Sequence, residues 1–144
     1  MEFTLYGFDV YTAEVDDKGI DFVIRMEHKE VGEVPKYRYY DVQVKSIRGM
    51  SYIYFLENKF ALWDGLQEKF VLRDNLLVAV GLFTDGDLPR LYLIPAKEWN
   101  PPNGLFVDRD YEGLKSKPEY GLNISKTNLP LLERYEFENQ VEHL

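Results

Sequence analysis

At 144 residues, with 45% hydrophobic and 15% aromatic side chains, the chain has enough apolar material to pack a core and is too rich in it for a disordered segment. Its net charge of −8, from 25 acidic against 17 basic residues, lacks the global attraction to phosphate that nucleic-acid binders usually carry, while leaving room for a local basic groove. The absence of cysteine excludes disulfides, thiolate catalysis and Cys-containing zinc sites, and the two histidines, His28 and His143, lie too far apart in sequence to suggest a His-based metal site or a Ser-His-Asp triad.

Met1 to Tyr6 is apolar and too short for a long helix. Gly7 to Thr12 reads as a first strand, and Asp16-Asp17-Lys18-Gly19 supplies turn chemistry. Ile20 to Glu27 reads as a second strand whose alternation sends Phe22, Ile24 and Met26 one way and Asp21, Val23 and Arg25 the other. After a polar linker from His28 to Lys36, Tyr37 to Ile47 forms a third strand, predicted to pair with the second as a long-looped hairpin. Tyr52 to Phe55 starts another apolar run. The segments 58–66 and 68–76 echo each other at a ten-residue offset, by coincidence or small local duplication. Leu76 to Phe83 is almost wholly apolar, the pattern of a central strand covered on both faces, and Arg90 to Pro95 returns as its partner after a turn at 84–87. The stretch 101–104 is a loop, and 118–121 closes an irregular segment. A final helix runs from Ser125 or Asn128 to about Asn139, with Pro130 in its first turn and Leu131, Leu132 and Tyr135 facing the core. No linker divides 1–144, so one α/β domain with a mixed central sheet flanked by helices is expected.

The third strand places Asp41, Gln43 and Lys45 on alternating positions. Such polar residues can simply face water on a half-buried strand. Alternatively they converge with Asp21, because a carboxylate and an amide oxygen are hard ligands that suit Mg²⁺, and a nearby ammonium can position a water or neutralise charge on a phosphate.

Gly19-Ile20-Asp21 followed across the hairpin by Gln43-Val44-Lys45-Ser46 resembles the PD-(D/E)XK nuclease superfamily, which includes restriction endonucleases. The strand–turn–strand after the motif and the terminal helix continue the resemblance over most of the chain. It implies a restriction-endonuclease-like fold and metal-dependent phosphodiester hydrolysis. Asp21 and Gln43 would hold Mg²⁺, or Mn²⁺ in its place, with the Val44 carbonyl as a further ligand, and Lys45 would act near the attacking water. Gln43 stands where a carboxylate is usual and should hold the ion less tightly. The long N-terminal helix that carries a metal-binding Glu in the family is here reduced to a few residues around Glu2. A noncatalytic scaffold or protein-interaction subunit is the alternative function.

The short N-terminus leads to an expectation of uncovered apolar surface near Tyr11 and Phe22, and of a homodimer or an accessory protein partner. With no apolar run near the ~18 residues of a membrane span and no basic-then-apolar leader, a soluble, cytoplasmic protein without membrane contact is expected. Glu14, Asp16 and Asp17 read as a charged turn, although they could crowd a metal near Asp21. Trp63 and Trp99 could stack on bases but more commonly pack, and Asp108, Arg109 and Asp110 read as a surface charge cluster.

Overall fold

A computed structural model describes residues 2–12, 20–109 and 118–144. Gly19, the acidic turn at Glu14, Asp16 and Asp17, and Asp110 lie outside the described residues. One turn of helix, α1 (Glu2–Leu5), leads into β1 (Asp9–Thr12), β2 (Phe22–His28) and the 13-residue β3 (Lys36–Arg48). Next come β4 (Tyr52–Leu56), the single turn α2 (Glu57–Phe60), and the hairpin of β5 (Ala61–Asp64) and β6 (Lys69–Leu72). β7 (Leu76–Phe83) and β8 (Arg90–Pro95) are followed by a 3₁₀ turn over Ala96–Trp99, β9 (Phe106–Arg109) and β10 (Glu119–Asn123). The chain ends in α3 (Leu129–Leu132), a 3₁₀ turn over Glu133–Tyr135, and α4 (Phe137–Val141).

The main sheet has the order β1-β2-β3-β7-β8, and β4-β10-β9 form a second, three-stranded sheet. β1–β2, β2–β3 and β7–β8 are antiparallel, whereas β3 and β7 run parallel. The segment β4-α2-β5-β6 supplies the long crossover that a parallel pair requires. β7 has the predicted central position: it pairs on both edges and buries side chains on both faces.

Two apolar clusters flank the main sheet. On one face Leu76, Val78, Val80, Leu82, Tyr92 and Ile94 pack beneath Phe55, Phe60, Trp99, Phe106 and Tyr120 from the second sheet and its connections. On the other, Ile24, Val42, Leu77 and Leu93 meet Phe3, Phe8, Phe137 and Val141 from the terminal helices. Helices thus cover part of one face, and a second sheet covers part of the other, where flanking helices were expected.

Two further expectations change. The segment 118–121 is no irregular closure but the start of β10, the middle strand of the second sheet. Gly121 sits in that strand because Tyr52 of β4 lies across it, where a Cβ would collide with the ring. The final helix breaks into three short turns, since Glu136 adopts extended ψ (135°) and its backbone bridges to Tyr92 instead of continuing the helix. The ten-residue echo folds into unlike elements: Phe60 is buried in α2 whereas Phe70 is 37% exposed on β6.

Near the N-terminus, Phe3 packs on Phe22, with ring centroids 5.8 Å apart, and edge-on against Phe137 at 4.9 Å. Beyond them the same face stays open, with Val44, Phe83 and Leu91 exposed and lining, together with Phe3, Phe22 and Phe137, an apolar cleft of about 220 Å³. Tyr11 points to the opposite face. There Tyr11, Tyr37 and Tyr39 are exposed around Arg25, whose guanidinium donates to Asp9 at 2.7 and 3.1 Å and lies 4.6 Å from the Tyr37 ring centroid. The hydrogen bond to Asp9 holds the Arg25 pKa above its usual value. No helix of the described residues is long and apolar enough to cross a membrane.

Candidate functional site

The pairing of β2 with β3 ends at Phe22 and Val42, and Asp21 lies one residue beyond it. Directly opposed residues on antiparallel strands share a face, and positions two apart on one strand share a face. Gln43 and Lys45 therefore belong to one face of the main sheet, the face that carries Val78 and Val80 on β7. The Asp21 backbone N–H donates to the Val42 carbonyl at 2.9 Å, which anchors the residue just beyond the strand end.

β7 continues along β3 to Arg48, past the point where β2 stops, so β3 has an edge that β2 does not cover. Asp21 Oδ2 accepts the backbone N–H of Val44 at 2.6 Å on that edge. The N–H and C=O of one strand residue leave on the same side, so the Val44 carbonyl also faces the edge on which Asp21 sits.

Gln43 is half-buried, and its Oε1 is fully screened from solvent without a hydrogen-bond donor. A buried acceptor left without a donor or cation costs on the order of 1–3 kcal/mol. Lys45 is half-buried as well, with its ammonium 5.5 Å from the centroid of the Phe55 ring. Gln43 and Lys45 line one wall of a cleft against β4, into which Lys59 of α2 also reaches.

Asp41, the first polar residue of the alternating stretch, has a different role. Its carboxylate is ion-paired with Arg73, a largely buried contact at the start of the β3–β7 ladder, and its backbone N–H donates to the Asn75 carbonyl at 2.9 Å. The alternation at 41, 43 and 45 thus lies on a covered or half-covered face, which separates it from a row of solvated side chains.

Among the described residues, no group of three or more His, Cys, Asp or Glu side chains is placed to hold a metal ion. Trp99 is core: it is 1% exposed, and its indole N–H donates to the Gly121 carbonyl at 2.7 Å. Trp63 is 59% exposed and meets Phe70 edge-on at 5.4 Å across the β5–β6 hairpin. His28 is exposed at the end of β2, and Arg109 on β9 lies 4.5 Å from the Tyr52 ring centroid. Lys59 is the residue that motif reasoning did not single out. The only sequence signal for it is its position one residue before Phe60, the buried anchor of α2.

No protein-family model, no curated protein and no solved structure matches this chain.

Proposed function

We propose that the chain is a metal-dependent phosphodiester hydrolase acting on nucleic acid, with a restriction-endonuclease-like arrangement of β1, β2, β3 and β7. The observation that carries this reading is Gln43 Oε1, a buried oxygen without a donor on the sheet face it shares with Lys45, next to the β3 edge where the Asp21 carboxylate meets the Val44 N–H. The donor set fits a hard divalent cation. Asp21, Gln43 Oε1 and the Val44 carbonyl would hold Mg²⁺, or Mn²⁺ in its place. Bound there, the ion would supply a Lewis acid for charge developing on a phosphate. The chain's own contributions are separate. Lys45, steadied over Phe55, donates a hydrogen bond to a phosphate oxygen or to the attacking water, and the cleft wall orients the backbone being cut. The antiparallel β2–β3 hairpin followed by a parallel β3–β7 pair supports the same fold assignment.

A noncatalytic nuclease-fold scaffold is the second reading. It is favoured by the bond between Asp21 and the Val44 N–H, which already employs one oxygen of the single carboxylate in the set. Incubation of plasmid DNA and single-stranded RNA with the protein and Mg²⁺ or Mn²⁺ separates the two. The hydrolase reading expects cleavage that Lys45→Ala abolishes while the far-UV circular dichroism stays unchanged. Cleavage that survives Lys45→Ala, or none from the folded wild type with either ion, would overturn it.

A further inference from the structure

Beyond the end of β2, the outer edge of β3 carries backbone groups without partners. On the β2 side, the Val42 carbonyl accepts the Asp21 N–H and the Val44 N–H donates to the Asp21 carboxylate. On the β7 side, the N–H groups of Asp41 and Gly49 donate to the carbonyls of Asn75 and Phe83. Successive strand residues turn their N–H and C=O to alternate sides, so those of Ser46 and Arg48 face outward with those of Val44. Among the described residues nothing bonds to them there. Exposed strand edges are ordinarily blunted by proline or a bulge, and the stretch 44–48 has neither proline nor a break in its pairing with β7. The same stretch borders exposed apolar surface: Val44 is 42% exposed, and Phe83 and Leu91 are each 41% exposed, around the small side chains of Ser46 and Ala79 and the bare Gly81. Arg48 is exposed at the end of the row and forms no ion pair with another described residue.

We propose that this edge pairs antiparallel with the same edge of a second copy, about a two-fold axis beside Ile47. Ser46 then lies opposite the partner's Arg48, and Arg48 opposite the partner's Ser46. Opposed residues that both face the ladder exchange both of their bonds, so the outward N–H and C=O of each are satisfied. Asp21 already holds the Val44 N–H and sets the inner limit of the ladder. The occupant is a second copy because the edge is also self-complementary in charge. The partner's Arg48 stands two residues from Val44, about 7 Å along the strand, which an arginine side chain spans. Its apolar stem lies on Val44 and its guanidinium reaches toward the Asp21 carboxylate. The two-fold repeats that contact in the other direction, and an interface of this kind closes at two copies. The partner thereby contributes an arginine to the surroundings of Asp21. Edge pairing needs neither metal nor nucleic acid, so it does not rest on the hydrolase reading.

The test is sedimentation velocity of the full chain over a concentration series, with amide hydrogen exchange followed by NMR in the same samples. A monomer–dimer equilibrium is expected, with a dissociation constant on the order of 10 μM, as suits a small interface. Exchange at the Ser46 and Arg48 amides should slow as the dimer fills. Arg48→Glu sets like charge against the partner's Asp21 and should weaken dimerisation about tenfold, with the far-UV circular dichroism unchanged. Ser46→Pro removes an outward N–H at an edge position, where proline is tolerated, and should weaken it as well. Lys36→Glu, the same charge change at the far end of β3, should have no effect. A wild type that stays monomeric up to about 500 μM overturns the proposal and leaves the edge to a strand of another protein. A dimer that Arg48→Glu forms as readily as wild type does, or that Lys36→Glu weakens equally, overturns it too. So does a dimer in which the Ser46 and Arg48 amides exchange at the monomer rate.

Discussion

Asp21 and Val44 are joined by a 2.6 Å hydrogen bond from the backbone N–H to the carboxylate, made where β3 outruns β2. The bond gives Asp21 a structural task in addition to its proposed ligand role, and the two can be separated. Asp21→Asn keeps an acceptor for the N–H and removes the charge, whereas Asp21→Ala removes both. Asp21→Ala should lower stability by about 1 kcal/mol, or roughly 3 °C in melting temperature, and Asp21→Asn by much less. Thermal denaturation of the two variants checks this, and equal losses would mean that the bond contributes nothing.

Gln43 leads to a prediction about charge. Gln43→Glu puts a carboxylate where Oε1 now has no donor, so the metal-free variant should be less stable than wild type by about 1–3 kcal/mol. With a second carboxylate beside Asp21 it should bind Mn²⁺ about tenfold more tightly, and added metal should recover the lost melting temperature. Unchanged metal affinity would remove Gln43 from the ligand set.

Arg73 and Asp41 form a largely buried ion pair, and Arg73 Nε is also screened from solvent without an acceptor. Arg73→Met strands the Asp41 carboxylate and should cost about 3 kcal/mol, whereas Arg73→Met combined with Asp41→Leu should recover most of that loss. Urea denaturation of the single and double variants measures the coupling. A fully additive result would show that the pair is not energetically linked.

At alkaline pH the partly buried tyrosines should lower stability as they ionise. Burial, reinforced by Asp108 and Glu57, pushes the Tyr120 phenol up to about 12, and burial also raises Tyr92 and Tyr135. A phenol that ionises near pH 10 when unfolded but near 12 when folded contributes its full share of stability below pH 10. That share is lost as pH rises from 10 to 12. Urea midpoints should therefore stay level up to about pH 10 and fall above it, and Tyr120→Phe should flatten part of the fall. A decline that begins well below pH 10 and is the same in Tyr120→Phe would assign alkaline sensitivity to other groups.

The main sheet was legible in the sequence because period-2 alternation in 20–27 and 37–47, and the uninterrupted apolar run 76–83, are strong local signals. The placement of Gln43 and Lys45 on one face follows from that same alternation, and the antiparallel hairpin brings Asp21 to the β3 edge at Val44. The second sheet was not legible. β9 and β10 are short, and β10 contains Gly121, whose presence reflects the Tyr52 ring from a distant strand and resembles a loop signal when read locally. The final helix was over-read because its apolar spacing satisfies helical period, while the contact that breaks it, Glu136 against Tyr92, is tertiary. The partnership of Asp41 with Arg73 was hidden for the same reason, with 32 residues separating the two.

The most direct test of the proposed metal-dependent site is a Mn²⁺ titration of wild type, Asp21→Asn and Lys45→Ala, followed by calorimetry at neutral pH. One weak site is expected in wild type, with a dissociation constant on the order of 1 mM, lost in Asp21→Asn and retained in Lys45→Ala. Binding that is absent from folded wild type, or that survives unchanged in Asp21→Asn, would contradict it.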